Sequence, residues 1–324
     1  MTKAIRIHHT GGPDVLVWEE VPTPEPGPGE VLVRHAAVGV NFVDVYFRSG
    51  LYKAPNLPFT PGMEGAGTVL VVGPGVSGLA AGDRVAYGTG AMGAYATERV
   101  IAADRLLKLP ESIPFETGAA MMLAGMTAHY LLRRTYPVKR GDTILIHAAA
   151  GGVGLIMCQW ATHLGARVIG VVSTPEKAAL AKANGAEHAL IGHADLAAEV
   201  KKITDGAMVP VVYDSVGKDT FMASVDCLAP LGTMVSFGNA SGPVPPVDIS
   251  ILSAKGSLFL TRPTLATYAA KRADLEHMAG ELFSVVGSGV VKIRVNQTFP
   301  LAEAAAAHRA LEARQTTGST VLIP

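Results

Sequence analysis

The stretch that most constrains this 324-residue chain runs from Thr143 to Gly154. Thr143-Ile144-Leu145-Ile146 is apolar on both faces, which is what a parallel strand covered by helices requires. It passes through His147 into Ala148-Ala149-Ala150-Gly151-Gly152-Val153-Gly154 and then into a helical pattern. Position by position this is the G-x-G-x-x-G turn with Ala149 in the first glycine place. Gly151 and Gly152 let the main chain approach a pyrophosphate, and Gly154 lets the helix lie against the strand. The start of that helix, at Gly151, Gly152 and Val153, offers free N–H groups and the positive end of the dipole to an anion. A glycine-rich turn alone is also compatible with a plain tight connection. Its place at the first of several βα units favours dinucleotide binding.

The surrounding pattern supports this reading. From 143 onward, strands expected at 143–149, 167–173, 188–191, 210–214, 233–238 and 257–261 alternate with helices at 153–164, 175–184, 195–204 and 219–229, the signature of a doubly wound α/β sheet. Before residue 110 the chain is rich in Gly, Pro and Val and reads as short strands at 3–9, 15–20, 30–40, 66–73, 83–88 and 94–101, suggesting a barrel-like β domain. The proline run 21–29 cannot supply a hydrogen-bonded ladder and reads as a stiff surface loop. Pro114 opens a helix expected to run to Tyr136, stopped by Pro137. After 264 come a helix at 270–288, a strand at 290–298, a helix at 301–313 and a strand at 319–323. This tail resembles neither half of a βαβ repeat and is expected to return to the first domain. The domains expected are therefore 1–124 with 265–324, and 125–264.

The strand after the glycine turn ends Val171-Val172-Ser173-Thr174-Pro175-Glu176-Lys177. A site for the unphosphorylated dinucleotide usually carries Asp or Glu there to accept from the ribose 2′-hydroxyl. Ser173 instead can hydrogen-bond a 2′-phosphate, and Lys177 in the first helical turn offers it a positive charge. Glu176 argues against a phosphate but suits the positive end of a helix. An ordinary solvated lysine is the competing reading of Lys177. The balance selects NADPH over NADH.

Composition excludes several alternatives. Lys+Arg and Asp+Glu are both 27, so no overall field draws the chain to nucleic acid or an anionic membrane. Cys158 and Cys227 are too few for a disulfide framework or a four-cysteine zinc site. No window reads as a membrane span or an N-terminal signal, which places the expected protein in the cytoplasm. His8 and His9 are read on a strand with alternate faces, and His147 beside the glycine turn; all three read as structural or solvated.

Five stretches together carry a resemblance: Gly39-Val40-Asn41-Phe42-Val43-Asp44, Pro61-Gly62-Met63-Glu64-Gly65-Ala66-Gly67, Gly82-Asp83-Arg84-Val85, the 147–154 turn, and Val212-Tyr213-Asp214-Ser215-Val216-Gly217. Over essentially its whole length the chain resembles the medium-chain dehydrogenase/reductase family, in its zinc-free, zeta-crystallin-like quinone oxidoreductase branch. The resemblance implies a Rossmann domain plus a GroES-like catalytic domain, with the nicotinamide in a cleft between them. Zinc alcohol dehydrogenases of the family carry a ligand cysteine where this chain has Asn41 and a ligand histidine where it has Met63. Neither an amide nor a thioether is a usual zinc ligand, so no metal is expected.

Without a Lewis acid, the chemistry expected is reduction of an already electron-poor acceptor, the hydride coming from the nicotinamide. The resemblance implies an NADPH-dependent quinone oxidoreductase acting on small or medium quinones. A 2-alkenal or enone reductase is the alternative, and a non-enzymatic cofactor-binding or RNA-binding protein the third reading. Asn41 and Tyr46 are assigned to orienting substrate or nicotinamide, and Tyr52 to donating to the reducible oxygen, with packing as the competing role for the tyrosines. The resemblance further places Thr127, Ser215, Phe237, Gly238, Asn239, Arg262 and Arg314 near the cofactor. Helix packing competes at Thr127, a helix cap at Ser215, and surface salt bridges at the two arginines. Gly192 and His129 depart from the branch, which carries aromatic residues there. A homodimer is implied, with 257–261 as a candidate edge strand.

Overall fold

The computed structural model describes residues 1–54 and 56–324. Two compact units form, the first from Met1–Met126, Tyr268–Gly287 and Ile293–Pro324, the second from Thr127–Thr267 and Ser288–Lys292.

The first unit begins with β1 (Thr2–Arg6) and β2 (Val17–Val21), an antiparallel pair. A larger sheet is built around the long strand β3 (Glu30–Val40), with β4 (Gly65–Val72), β5 (Arg84–Tyr87), β6 (Glu98–Ala102) and β7 (Leu107–Lys108). β3 is buried along most of its length because it pairs with both β4 and β6. Between β3 and β4 lies a helix the sequence reading did not include, α1 (Phe42–Ser49). Its start is fixed by the Asp44 carboxylate, which accepts the Asn41 N–H at 2.9 Å, and Gly50 ends it at φ 84°. α2 (Phe115–Tyr130) follows, opened by Pro114 as expected, and a wider helical turn carries it on through Thr135.

The second unit holds six parallel strands: β8 (Thr143–His147), β9 (Arg167–Val172), β10 (His188–Ile191), β11 (Val209–Asp214), β12 (Leu228–Ser236) and β13 (Phe259–Thr261). Their order is β10-β9-β8-β11-β12-β13. Numbered from β8 this is 3-2-1-4-5-6, the doubly wound order, with its topological switch at the C-terminal end of β8. The connecting helices are α3 (Gly152–His163), α4 (Pro175–Ala183), α5 (Leu196–Ile203), α6 (Phe221–Asp226) and α7 (Ser250–Ala254). Leu145, Ile169, Val212, Phe221 and Met234 form the core on one side of the sheet.

The tail adds α8 (Leu265–Tyr268), α9 (Arg272–Gly287), β14 (Val295–Pro300), α10 (Ala304–Glu312) and β15 (Ser319–Ile323). β15 pairs antiparallel with β3, so the tail does return to the first sheet. β14 and β15, however, are parallel and joined through α10. The tail is thus a small βαβ unit, contrary to the sequence reading. The reason is that β14 alternates half-buried and exposed residues rather than showing the continuous apolar run of a doubly covered strand. A second correction concerns His8 and His9, which lie past the end of β1; the His8 ring pairs with Glu19 of β2. Among the described residues, no helix is long and apolar enough to cross a membrane.

Candidate active site

In the second unit, β8 ends at His147 and Ala148 takes a left-handed conformation, φ 51°, that turns the chain toward α3. Gly151 caps α3, and the first intrahelical bond runs from the Leu155 N–H to the Gly151 carbonyl at 2.9 Å. The N–H groups of Gly152, Val153 and Gly154 precede that bond and lack helical acceptors. Gly151, Gly152 and Val153 are half-buried, so this cradle is open to a ligand. A Cβ at Gly154 would stand 2.3 Å from the Ala148 carbonyl oxygen, which is why the helix approaches the strand so closely only with glycine there.

Beside the cradle, β9 ends at Val172 and Ser173 is exposed. Thr174 caps α4 by accepting the Lys177 N–H at 3.3 Å, placing the Lys177 side chain in the first turn. The Thr174 hydroxyl also holds the Glu176 carboxyl below its ordinary range, consistent with a carboxylate stabilised at a helix start. Gly192 bonds its N–H to the Val172 carbonyl at 2.9 Å, next to Ser173, and a Cβ there would meet only open space.

A second group forms beyond β11 and β12. The Phe237 N–H donates to the Asp214 carbonyl at 2.8 Å and the Ala240 N–H to the Ser215 carbonyl at 3.2 Å, bringing Ser215 against Phe237, Gly238 and Asn239. Arg262 donates through Nη1 to the Ser236 carbonyl at 2.9 Å, and the Asn239 amide, assigned with its oxygen toward Arg262 so that both its ends are satisfied, accepts from Nη2 at 3.1 Å. Its guanidinium braces the loop. Ser215 is not the local cap. The N-cap of α6 is Thr220, and buried Asp214 braces the turn before it, accepting from the Val216 and Gly217 N–H groups and from the Thr220 and Ser224 hydroxyls. Ser224 in turn meets His147 Nε2 at 2.9 Å, so His147 is structural as expected. Thr127 is buried on α2, and His129 packs edge-on against Trp160 at 5.7 Å. Arg314 lies in the first unit, exposed and at φ 58° just past α10.

In the first unit, Asn41 stands where β3 gives way to α1. Tyr46, on α1, lies edge-on to Tyr52 with centroids 5.1 Å apart, and the Tyr52 N–H donates to the Tyr46 carbonyl at 2.9 Å. Phe42 and Phe47 flank this pair. The three residues assigned to chemistry therefore share one short helix and the turn after it.

Two buried carboxylates that the sequence reading quoted but gave no role stand beside Asn41. Glu64 Oε2 accepts from Asn41 Nδ2 at 2.8 Å, and Oε1 accepts the Leu123 N–H at 2.8 Å. Burial raises the Glu64 carboxyl to about 8, with Asp44 adding like charge while its hydrogen bonds pull it down. Burial likewise raises Asp44 to about 7 against its bonds from Asn41 and Tyr95. The signal that marks them is Gly39, where a Cβ would lie 2.4 Å from Glu64 Oε2; the glycine leaves room for a carboxylate.

Residues 152–282 match the family described as "Zinc-binding dehydrogenase", and residues 27–111 the "Alcohol dehydrogenase GroES-like domain". A quinone oxidoreductase of Pseudomonas aeruginosa is 55% identical with 100% of both chains covered. A 2-haloacrylate reductase of a Burkholderia species is 47% identical over 100% of this chain and 99% of that protein. The crystal structure of Escherichia coli quinone oxidoreductase complexed with NADPH superposes with a TM-score of 0.98 at 49% identity, covering 100% of both chains. The first family description implies zinc, but the donor set here does not fit that ion. The Asn41 amide is turned with its nitrogen to Glu64, leaving a neutral amide oxygen and the Met63 thioether, neither of which is a usual zinc ligand. With relatives this similar along its entire length, the chain belongs to the quinone oxidoreductase branch of the medium-chain dehydrogenase/reductase family.

Proposed function

We propose that this protein is a metal-independent, NADPH-dependent quinone oxidoreductase. The observation that carries the reading is the open start of α3, where Gly151, Gly152 and Val153 present main-chain N–H groups, next to a β9 end that bears Ser173 and Lys177 in place of a carboxylate. That arrangement suits a pyrophosphate together with a 2′-phosphate. The naming of full-length relatives as quinone oxidoreductases, one of them complexed with NADPH, agrees with it.

In this reading Gly151, Gly152 and Val153 hold the pyrophosphate, Ser173 and Lys177 the 2′-phosphate, and Thr127, Ser215, Phe237, Gly238, Asn239, Arg262 and Arg314 the remainder of the cofactor. When bound, NADPH supplies the hydride. Asn41 and Tyr46 orient the nicotinamide and the acceptor, and Tyr52 donates a hydrogen bond to the reducible oxygen. A quinone spreads incoming charge over its conjugated oxygens, so hydrogen-bond donation replaces the Lewis acid that the Asn41 and Met63 positions do not support. The protein acts in the cytoplasm as a homodimer paired along β13, whose Phe259 and Leu260 are 60% and 43% exposed at the end of the six-stranded sheet.

A second reading, reduction of an activated C=C bond, is favoured by the 2-haloacrylate reductase relative. Steady-state turnover of naphthoquinone and phenanthrenequinone with NADPH, set against 2-alkenals and 2-haloacrylate, separates the two. Quinone turnover at the uncatalysed background overturns the first reading, and alkene turnover in its place selects the second. A salt-sensitive shift of RNA at micromolar protein, with neither activity, selects a non-enzymatic role.

A further inference from the structure

The two oxygens of Glu64 are not equivalent. Oε1 accepts the Leu123 N–H, a group that can only donate, and the Met122 N–H adds a second main-chain donor to the carboxylate. Oε2 faces the Asn41 amide at 2.8 Å. A proton arriving on Glu64 therefore settles on Oε2, against Asn41. An asparagine amide has a donor end and an acceptor end. Nδ2 donates to Oε2 while the carboxylate is ionised, which is the contact seen here. Once Oε2 carries a proton it needs an acceptor, and a half-turn of the amide supplies Oδ1. The end of the amide directed away from Glu64 is then Oδ1 in the first state and Nδ2 in the second.

We propose that Glu64 is a positioning residue whose Oε2, by holding or releasing a proton, decides whether Asn41 presents an N–H donor or an oxygen acceptor to the reducible oxygen of the electron acceptor. This rests on the proposed placement of Asn41 at the acceptor. A quinone oxygen accepts hydrogen bonds and cannot donate them, so only the state with Oε2 protonated serves it. Burial, which raises the carboxyl to about 8, keeps that state dominant at neutral pH and empties it in alkali.

The groups facing Glu64 are Asp44 from α1, Tyr87 from β5 and Tyr95 from the segment before β6. α2 offers it main-chain N–H groups. The cations behind them are Arg99, bonded to Tyr87 at 3.3 Å, and Arg48, which reaches Tyr95 and Asp44 through His308. The Asp44 carboxylate binds the main-chain N–H of Asn41, and only the Asp44 main chain, which does not titrate, faces the Asn41 side chain, so titration of Asp44 does not turn the amide.

The test uses the full chain labelled with 15N-asparagine. The Asn41 side-chain NH2 pair is assigned by its loss in Asn41→Asp and followed from pH 6 to 9.5. The expected result is a displacement with a midpoint near pH 8, absent in Glu64→Gln and moved to lower pH in Asp44→Asn, which removes the like charge. In parallel, kcat/KM for naphthoquinone falls about tenfold per pH unit above the midpoint, and that fall is absent in Glu64→Gln. Should Glu64→Gln not fold, Glu64→Asp displaces the midpoint of the Asn41 resonance and that of kcat/KM together, and a shift of the resonance with the kinetic midpoint unmoved overturns the proposal. An Asn41 pair that stays unmoved across the range, or titrates identically in Glu64→Gln, overturns the proposal. Absence of any quinone turnover overturns the proposed function instead, and the resonance titration still decides the role of Glu64.

Discussion

Replacing Glu64 by glutamine changes how the stability of the protein depends on pH, and the size of the change follows from burial. The Glu64 carboxyl is raised from an ordinary 4.5 to about 8 in the folded state. A carboxyl so raised keeps its proton longer when folded than when unfolded. Its contribution is fully present below the unfolded value and is lost as pH rises through the folded one. Between pH 6 and 8.5 the unfolded chain has already ionised, while the folded group holds its proton over roughly two of those units, a loss of about 3 kcal/mol. Asp44, raised to about 7, adds a smaller loss over the same range. His35 and His308, lowered to about 4 and about 3 by burial, act in the opposite sense, weakening the fold as pH falls below 6.5. His35 and His308 remain in the variant and cancel in the comparison, while Asp44, coupled to Glu64 by like charge, adds to the difference in the same sense. Any fixed cost of seating the glutamine amide is independent of pH, so the slope rather than the level carries the result. Urea unfolding at pH 6 and 8.5 measures it: the wild type is expected to lose about 3 kcal/mol more than Glu64→Gln across the interval. Equal losses would refute the account of Glu64 as a carboxyl held neutral in the core.

Three further outcomes can be measured. Arg48→Met is expected to cost about 1–3 kcal/mol in thermal or chemical unfolding, because its side chain, 2% exposed, bonds the Gly11 carbonyl and His308 in the interior and pairs with Glu312 at 2.7 Å; an unchanged stability contradicts the assignment. Gly154→Ala places a carbon 2.3 Å from the Ala148 oxygen, so it should cost about 1–3 kcal/mol of stability and abolish calorimetric binding of NADPH and NADH alike. Lys177→Ala is expected to weaken NADPH binding about tenfold while leaving NADH within about twofold, and equal losses would remove the 2′-phosphate from the α4 turn.

The sheet of the second unit was legible because each of its strands carries an apolar run that no other element explains. Residues 188–191 and 319–323 were delimited to the residue. α1 was not legible for a physical reason: it is eight residues long, and its start depends on a carboxylate three positions on rather than on an apolar stripe. The same holds for β14, whose parallel pairing is set by α10 crossing back and not by its own composition. At the site, periodicity and turn chemistry reach the Gly151–Gly154 cradle. They do not reach Glu64, whose role depends on Gly39 and on two N–H groups of α2 that are distant in sequence. Buried charge is the least visible feature in a sequence, since the residues that shelter it are neutral.

A directional chain of hydrogen bonds accounts for the other buried carboxylate. An arginine only donates, so Arg48 Nη1 at 3.2 Å makes His308 Nδ1 an acceptor and leaves the ring proton on Nε2. Nε2–H then donates to the Tyr95 oxygen at 3.0 Å, and the Tyr95 O–H to Asp44 Oδ2 at 3.2 Å. Every proton in the chain points toward Asp44, which caps α1 and so sets where Asn41 and Tyr46 stand. Tyr95→Phe removes one link and leaves the Asp44 carboxyl with the main-chain donors of Asn41 and Gly62, at a cost of about 1–3 kcal/mol. The lost bond favours the ionised form of Asp44, whose carboxyl stands at about 7, so the cost must be larger at pH 8 than at pH 5. Melting of the wild type and variant at the two pH values tests this, since a purely steric role for the tyrosine gives the same penalty at both.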